Sequence, residues 1–109
     1  MEITHALHSF DALAHPVRLA ALRLTIRHAP DGLAAGDIAD TLAIPPSSLS
    51  PHLARLHRAG LLIRTRHGRT LRYRADMARL RALTGWLAQD CCGGSPETCA
   101  PLLDALPCP

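Results

Sequence analysis

Only one Phe, one Tyr and one Trp occur in a chain of 109 residues, 48% of which are apolar. Whatever core this chain buries must be built from Leu, Ala and Ile, and those residues favour helices over sheets. The length suits one domain, able to bury roughly two-thirds of the surface that its unfolded form exposes. No apolar run approaches the roughly 18 residues that a membrane span requires. Glu2 stands where a secretory leader would carry cations before an apolar stretch, so no signal peptide is expected and the expected location is the cytoplasm.

The apolar residues recur mostly at helical spacing. Residues 3–14 place Ile3, Ala6, Leu7, Phe10, Leu13 and Ala14 on one helix. Pro16 suits the first turn of a second helix that runs to about His28, with Leu19, Leu22 and Ile26 in a broad apolar stripe. Pro30-Asp31-Gly32 signals a turn. A third, short helix is expected over Ala35–Leu42, with Ile38 and Leu42 inward. Pro45-Pro46-Ser47-Ser48 then breaks the pattern. Pro51 lacks an N–H and costs little only in a first helical turn, so Ser47 or Ser48 is the expected N-cap of a fourth helix ending near Ala59, with Gly60 as its stop. Two short helices joined by a tight turn make a helix-turn-helix arrangement. Leu61–Arg66 and Arg69–Arg74 read as strands around a His67-Gly68 turn, and helical spacing resumes over 76–89 with Met77, Leu80, Leu83, Thr84 and Leu87 on one side. The expected architecture is mainly α with one β-hairpin: four helices, the hairpin, a fifth helix.

Charge is distributed unevenly. The formal balance is +3, with twelve Arg and no Lys, and residues 55–81 hold nine of the Arg against the single acid Asp76. At 100° per residue, Leu53 and Leu56 fall within about 40° of Leu49 and form the buried stripe of the fourth helix. Ser47, Ser48, Pro51, Arg55 and Arg58 take the opposite face, and Ser50 and His52 flank the stripe. Small hydroxyls let a helix approach a major groove closely, and Arg forks onto guanine or phosphate. On the hairpin, a His67-Gly68 turn sets Arg66 directly across from Arg69, an unfavourable pairing unless a phosphate joins it. The expected DNA contacts are Ser47, Ser48, Ser50, Pro51, His52, Arg55, Arg66, His67 and Arg69.

No cysteine precedes residue 91, yet Cys91, Cys92, Cys99 and Cys108 crowd into the last 19 residues. Clustered thiols in a reducing compartment suggest metal or redox chemistry. Neighbouring Cys91 and Cys92 have Cα atoms about 3.8 Å apart, below the usual disulfide range. Three thiolates within nine residues can close on one soft ion, and Gly93-Gly94 lets the chain fold back to bring Cys99 to the vicinal pair. The division expected is a body of residues 1–90 and a cysteine-containing tail of residues 91–109.

The run Phe10-Asp11-Ala12-Leu13-Ala14-His15-Pro16-Val17-Arg18-Leu19, then Leu49-Ser50-Pro51-His52-Leu53 through Arg58-Ala59-Gly60-Leu61-Leu62, with Arg66-His67-Gly68-Arg69 and Tyr73, resembles the ArsR/SmtB family of metal-responsive repressors. The resemblance covers residues 3–92 and departs from the usual pattern at Pro51. It implies a winged helix-turn-helix fold, a homodimer joined through the first and last helices, and two recognition helices in successive major grooves of double-stranded operator DNA. Two of the family's ion sites are absent. The third helix has no Cys, and no His follows His67 to complete a zinc site between the last helices. The Cys-Cys-Gly-Gly…Cys ending resembles arsenite-responsive members. It implies no required cofactor and trivalent arsenic or antimony as inducer on Cys91, Cys92 and Cys99, with Cys108 a weaker candidate. Redox sensing, a Cd, Zn or Pb site, and a winged-helix module for protein partners remain alternatives. No phosphate-cradling Gly loop, nucleophile triad or carboxylate pair is present, so an enzyme is not expected.

Overall fold

Helix boundaries follow from a few special residues. The computed structural model describes residues 1–88, in the order α1 (Ile3–Leu13), α2 (Pro16–Arg27), β1 (Leu33–Ala34), α3 (Ala35–Leu42), α4 (Pro46–Arg58), β2 (Leu62–His67), β3 (Thr70–Ala75) and α5 (Met77–Ala88). Pro16 occupies the first turn of α2, where its missing N–H costs nothing, and the His15 Nδ1 caps the helix by accepting from the Val17 N–H at 3.1 Å. Asp76 caps α5 in the same way, its carboxylate accepting from the Arg79 N–H at 3.0 Å. The Asp76 N–H is itself given to the Leu61 carbonyl at 3.0 Å, so this one residue ties the end of the sheet to the start of α5.

The start of α4 corrects the sequence expectation. Neither Ser47 nor Ser48 is the cap. Pro45 takes that position and Pro46 is the first helical residue. Consecutive prolines fix φ near the helical value before any side-chain cap is needed. Ser47 and Ser48 therefore lie inside the first turn, and Pro51 sits in the helix interior as its sixth residue.

The sheet has three antiparallel strands in the order β1-β3-β2. The two-residue β1, not expected from sequence, pairs Leu33 with Tyr73 and Ala34 with Arg72. The hairpin turn also lies one residue later than expected, which shifts the strand register by two. His67 pairs with Thr70 and Arg66 with Leu71, so the turn is Gly68-Arg69 and Arg66 does not face Arg69. Gly68 has φ +64° while Arg69 is not in the positive region. A Gly at the first central position alone is the pattern of a type II′ turn, which matches the strand twist.

Leu49, Leu53 and Leu56 of α4 are at most 1% exposed and form the spine of the core, against Leu22, Leu24, Ile38, Leu61, Leu62, Tyr73 and Leu83. Tyr73 is the single buried aromatic; Phe10 and Trp86 pack at the edge. On α1 the buried stripe is Ala6, Ser9 and Ala12, leaving Ile3 and Leu7 each 58% exposed. Leu19, expected in the stripe of α2, is also exposed. α5 buries only Leu83, and its Met77 and Leu87 face outward. Among the described residues no helix is long and apolar enough to cross a membrane.

Candidate nucleic-acid interface

The α3–turn–α4 unit is closed by Ala43 in the left-handed region (φ 55°), whose N–H returns to the end of α3. This tight reversal presents α4 with its leucines inward, so the opposite side of the helix faces solvent. Ser47, Ser48, Ser50, Pro51 and Arg58 are all exposed there. The first two turns thus offer short side chains that let the helix backbone come close to a partner surface, with a cation at the far end.

The edge of α4 nearest the N-terminal helices is different. His52 is half-buried, with its ring centroid 4.3 Å from that of His15 and its Nδ1 3.4 Å from an Arg18 guanidinium nitrogen. Arg18 can only donate, so Nδ1 accepts and the imidazole proton lies on Nε2. Burial, then His15, then Arg18 push the His52 pKa below its ordinary value of 6.5, so the ring is neutral at neutral pH. Arg18 also donates through Nε to the Ala12 carbonyl, which locks the α1–α2 corner. One turn further along α4, Arg55 pairs with Asp11 of α1. Of the nine residues expected on the DNA face, His52 and Arg55 are therefore the two engaged by α1 and α2.

Arg66, His67 and Arg69 are all exposed at the tip of the hairpin, with Arg64 further down β2. Arg72 is not part of this cationic set. Its guanidinium donates to the Asp31 and Gly32 carbonyls at 3.0 and 3.1 Å, which fastens the root of the hairpin to the turn after α2. Gly32 (φ +75°) allows that closeness, since a Cβ there would lie 2.2 Å from the Tyr73 carbonyl oxygen. Similarly, Arg79 of α5 lies over Gly60, the residue that ends α4, so close that a Cβ on Gly60 would meet its guanidinium at 2.5 Å. Sequence reasoning missed these roles of Asp11, Arg18, Arg72 and Arg79. The Asp11–Arg55, Arg18–His52, Arg72–Asp31 and Arg79–Gly60 contacts are made only through the fold, and no local signal marks them.

Cys91, Cys92, Cys99 and Cys108, and the tail of residues 91–109, lie outside the described residues. Among the described residues, no three His, Cys, Asp or Glu side chains come together in a way that could hold a metal ion.

A family profile for a helix-turn-helix domain matches residues 13–65, from the end of α1 into β2. Among solved structures, the AntR antimony-specific transcriptional repressor is 30% identical, with 81% of this chain and 78% of that one covered at a TM-score of 0.64. The homodimeric winged helix-turn-helix DNA-binding domain of Mb0332 from Mycobacterium bovis, a possible ArsR-family transcriptional regulator, is 28% identical over 81% of this chain and 82% of its own, at a TM-score of 0.63. An ArsR-like transcriptional regulator from Rhodococcus sp. RHA1 superposes over 97% of both chains with a TM-score of 0.72; at 24% identity it attests the fold alone. No curated protein matches the chain.

Proposed function

The chain belongs to the ArsR family of DNA-binding winged-helix transcriptional regulators, and from that premise we propose that it is a metalloid-responsive repressor. The family acts by binding DNA and not by catalysis. In this reading a cytoplasmic homodimer occupies its operator and blocks transcription until As(III) or Sb(III) binds Cys91, Cys92 and Cys99. No resident cofactor is required.

The exposed face of α4 enters the major groove, with Ser47, Ser48, Ser50 and Pro51 close to the base edges and His52 and Arg55 at its margin. Arg66, His67 and Arg69 on the wing take backbone phosphates. The dimer forms through α1 and α5, whose Ile3, Leu7, Met77 and Leu87 are apolar and exposed in the single chain. The homodimeric Mycobacterium domain supports this assembly. A two-fold dimer then sets its recognition helices about 34 Å apart, one turn of DNA.

The observation that carries the inducer reading is the position of the thiols relative to α5. Cys91 follows Ala88, the last residue of α5, by three positions. At its other end α5 is joined to the exit of α4 through the Asp76–Leu61 bond and through Arg79 over Gly60. A pull on the C-terminal end of α5 therefore reaches the recognition helix along one rigid element. Three thiolates match the valence of a trivalent metalloid and neutralise its charge, and the antimony specificity of AntR supports a soft ion of this class. Coupling of about 1–3 kcal/mol between ion and DNA would loosen the operator 5–150-fold.

The test is fluorescence anisotropy of the protein on its own upstream DNA, titrated with arsenite or antimonite under reducing conditions. Release at stoichiometric metalloid, abolished by Cys91→Ser, Cys92→Ser or Cys99→Ser, is the expected result. Release by Cd, Zn or Pb instead, or by peroxide alone, would replace the inducer while keeping the repressor. Absence of duplex binding at low salt, with binding to an acidic protein retained, would replace the repressor.

A further inference from the structure

Asp11 is badly placed for its own helix. It lies in the last turn of α1, where the negative end of the macrodipole disfavours a carboxylate. Its partner is Arg55, 44 residues away on α4, and this is the one side-chain ion pair among the described residues. The pair is open to water, with Asp11 69% and Arg55 33% exposed at the side chain. An exposed pair of this kind contributes little to holding a fold together. It does, however, decide the charge that α4 presents. Arg55 belongs to the set of cations beside the groove-facing surface, and a carboxylate on a guanidinium offers what a phosphodiester offers: oxygens in forked geometry and one negative charge.

We propose that Asp11 sets the protein's affinity for DNA by occupying Arg55 in place of a backbone phosphate. The recognition helix meets the duplex with this guanidinium already neutralised, and one phosphate contact per protomer is withheld. Removal of the Asp11 charge frees Arg55 for the nearest phosphate. Phosphate contacts carry no sequence information, so the gain is the same on operator and on unrelated duplex. The inference rests on the reading that α4 faces DNA.

The experiment is a salt titration of duplex binding by full-length protein, wild type and Asp11→Asn, each in an Arg55 and an Arg55→Gln background, with circular dichroism confirming equal helix content. Asp11→Asn is expected to tighten binding and to steepen the slope of log affinity against log salt by about 0.9 per protomer, so that the gain grows about 3.5-fold per protomer between 200 and 50 mM salt. In the Arg55→Gln background the same change is expected to do nothing. Unchanged or weaker binding by Asp11→Asn, while the wild type binds DNA normally, would overturn this proposal alone. An equal gain in the Arg55→Gln background would also overturn it, since Asp11 would then act as a bare charge near DNA. A wild-type protein that binds no duplex at 50 mM salt would overturn both this and the DNA reading beneath it.

Discussion

Pro51→Ala is expected to stabilise the protein, against the usual direction of a point substitution. Pro51 is the sixth residue of α4, well past the first turn where proline is harmless. It has no N–H to give the Ser47 carbonyl, and its ring crowds that same carbonyl. An interior proline is about 3 kcal/mol worse than alanine. Ser47 is exposed, so water reaches the carbonyl that proline leaves unpaired and lowers that cost. Pro51 is exposed too, so removing its ring opens no cavity in the core. A net gain of about 1–3 kcal/mol follows, and at about 4–8 °C per kcal/mol for a domain of this size, Tm rises by roughly 5–20 °C. The assay is scanning calorimetry at matched protomer concentration under reducing conditions, because any assembly makes Tm concentration-dependent. A Tm that stays within about 2 °C of wild type or falls would refute the argument. It would mean that α4 has adapted around the proline, or that the ring makes a contact the helix depends on. Pro51 is neither charged nor a donor, so the salt slope of DNA binding should be the same in both proteins.

Leu53→Ala removes a side chain 1% exposed at the centre of the core and should destabilise by about 2–5 kcal/mol in urea denaturation. Gly32→Ala places a Cβ against the Tyr73 carbonyl at φ +75°; the left-handed backbone alone costs about 1–2 kcal/mol, and hydrogen exchange should show the β1–β3 pairing opened first. The His52 pKa lies below its ordinary value of 6.5 in the fold, so the unfolded chain takes up this proton first as pH falls. The contribution of neutral His52 is complete above about pH 6.5 and is lost on acidification below it, and His52→Gln should flatten that part of a stability-versus-pH curve measured by chemical denaturation.

Much of the architecture is legible because it is local. The Leu49–Leu53–Leu56 stripe, Pro16 at the start of α2 and Gly60 after α4 each announce themselves within one or two turns of chain. The features that escaped are those whose cause lies elsewhere in the fold. β1 is two residues long and is a strand only because β3 lies beside it. Pro51 reads in sequence as a first-turn residue, yet Pro45-Pro46 already supplies the first turn of α4. Both His67-Gly68 and Gly68-Arg69 contain the glycine of the hairpin turn, and only the φ of Gly68 relative to its neighbour decides between them. On the candidate interface, the exposed face of α4 and the wing tip could be read from a helical wheel and a charge count. What could not be read is which arginines are already occupied. Arg55, Arg72 and Arg79 look like Arg64 and Arg66 in sequence, yet their guanidinium groups rest on Asp11, on two carbonyls and over Gly60.

The fastening of the hairpin root has a mechanical meaning. From the anchored Arg72 to Arg69 at the tip the wing runs about 10 Å, three rises of about 3.3 Å. A rotation of about 10° at the root carries the tip roughly 1.7 Å, more than the whole spread of good hydrogen-bond lengths. The wing is a cantilever, and its aim is settled at the clamp, where Arg72 grips two carbonyls and the bare Cα of Gly32 lets the strands close. Residues that never approach a partner at the tip thus hold the tolerance within which the tip can meet one.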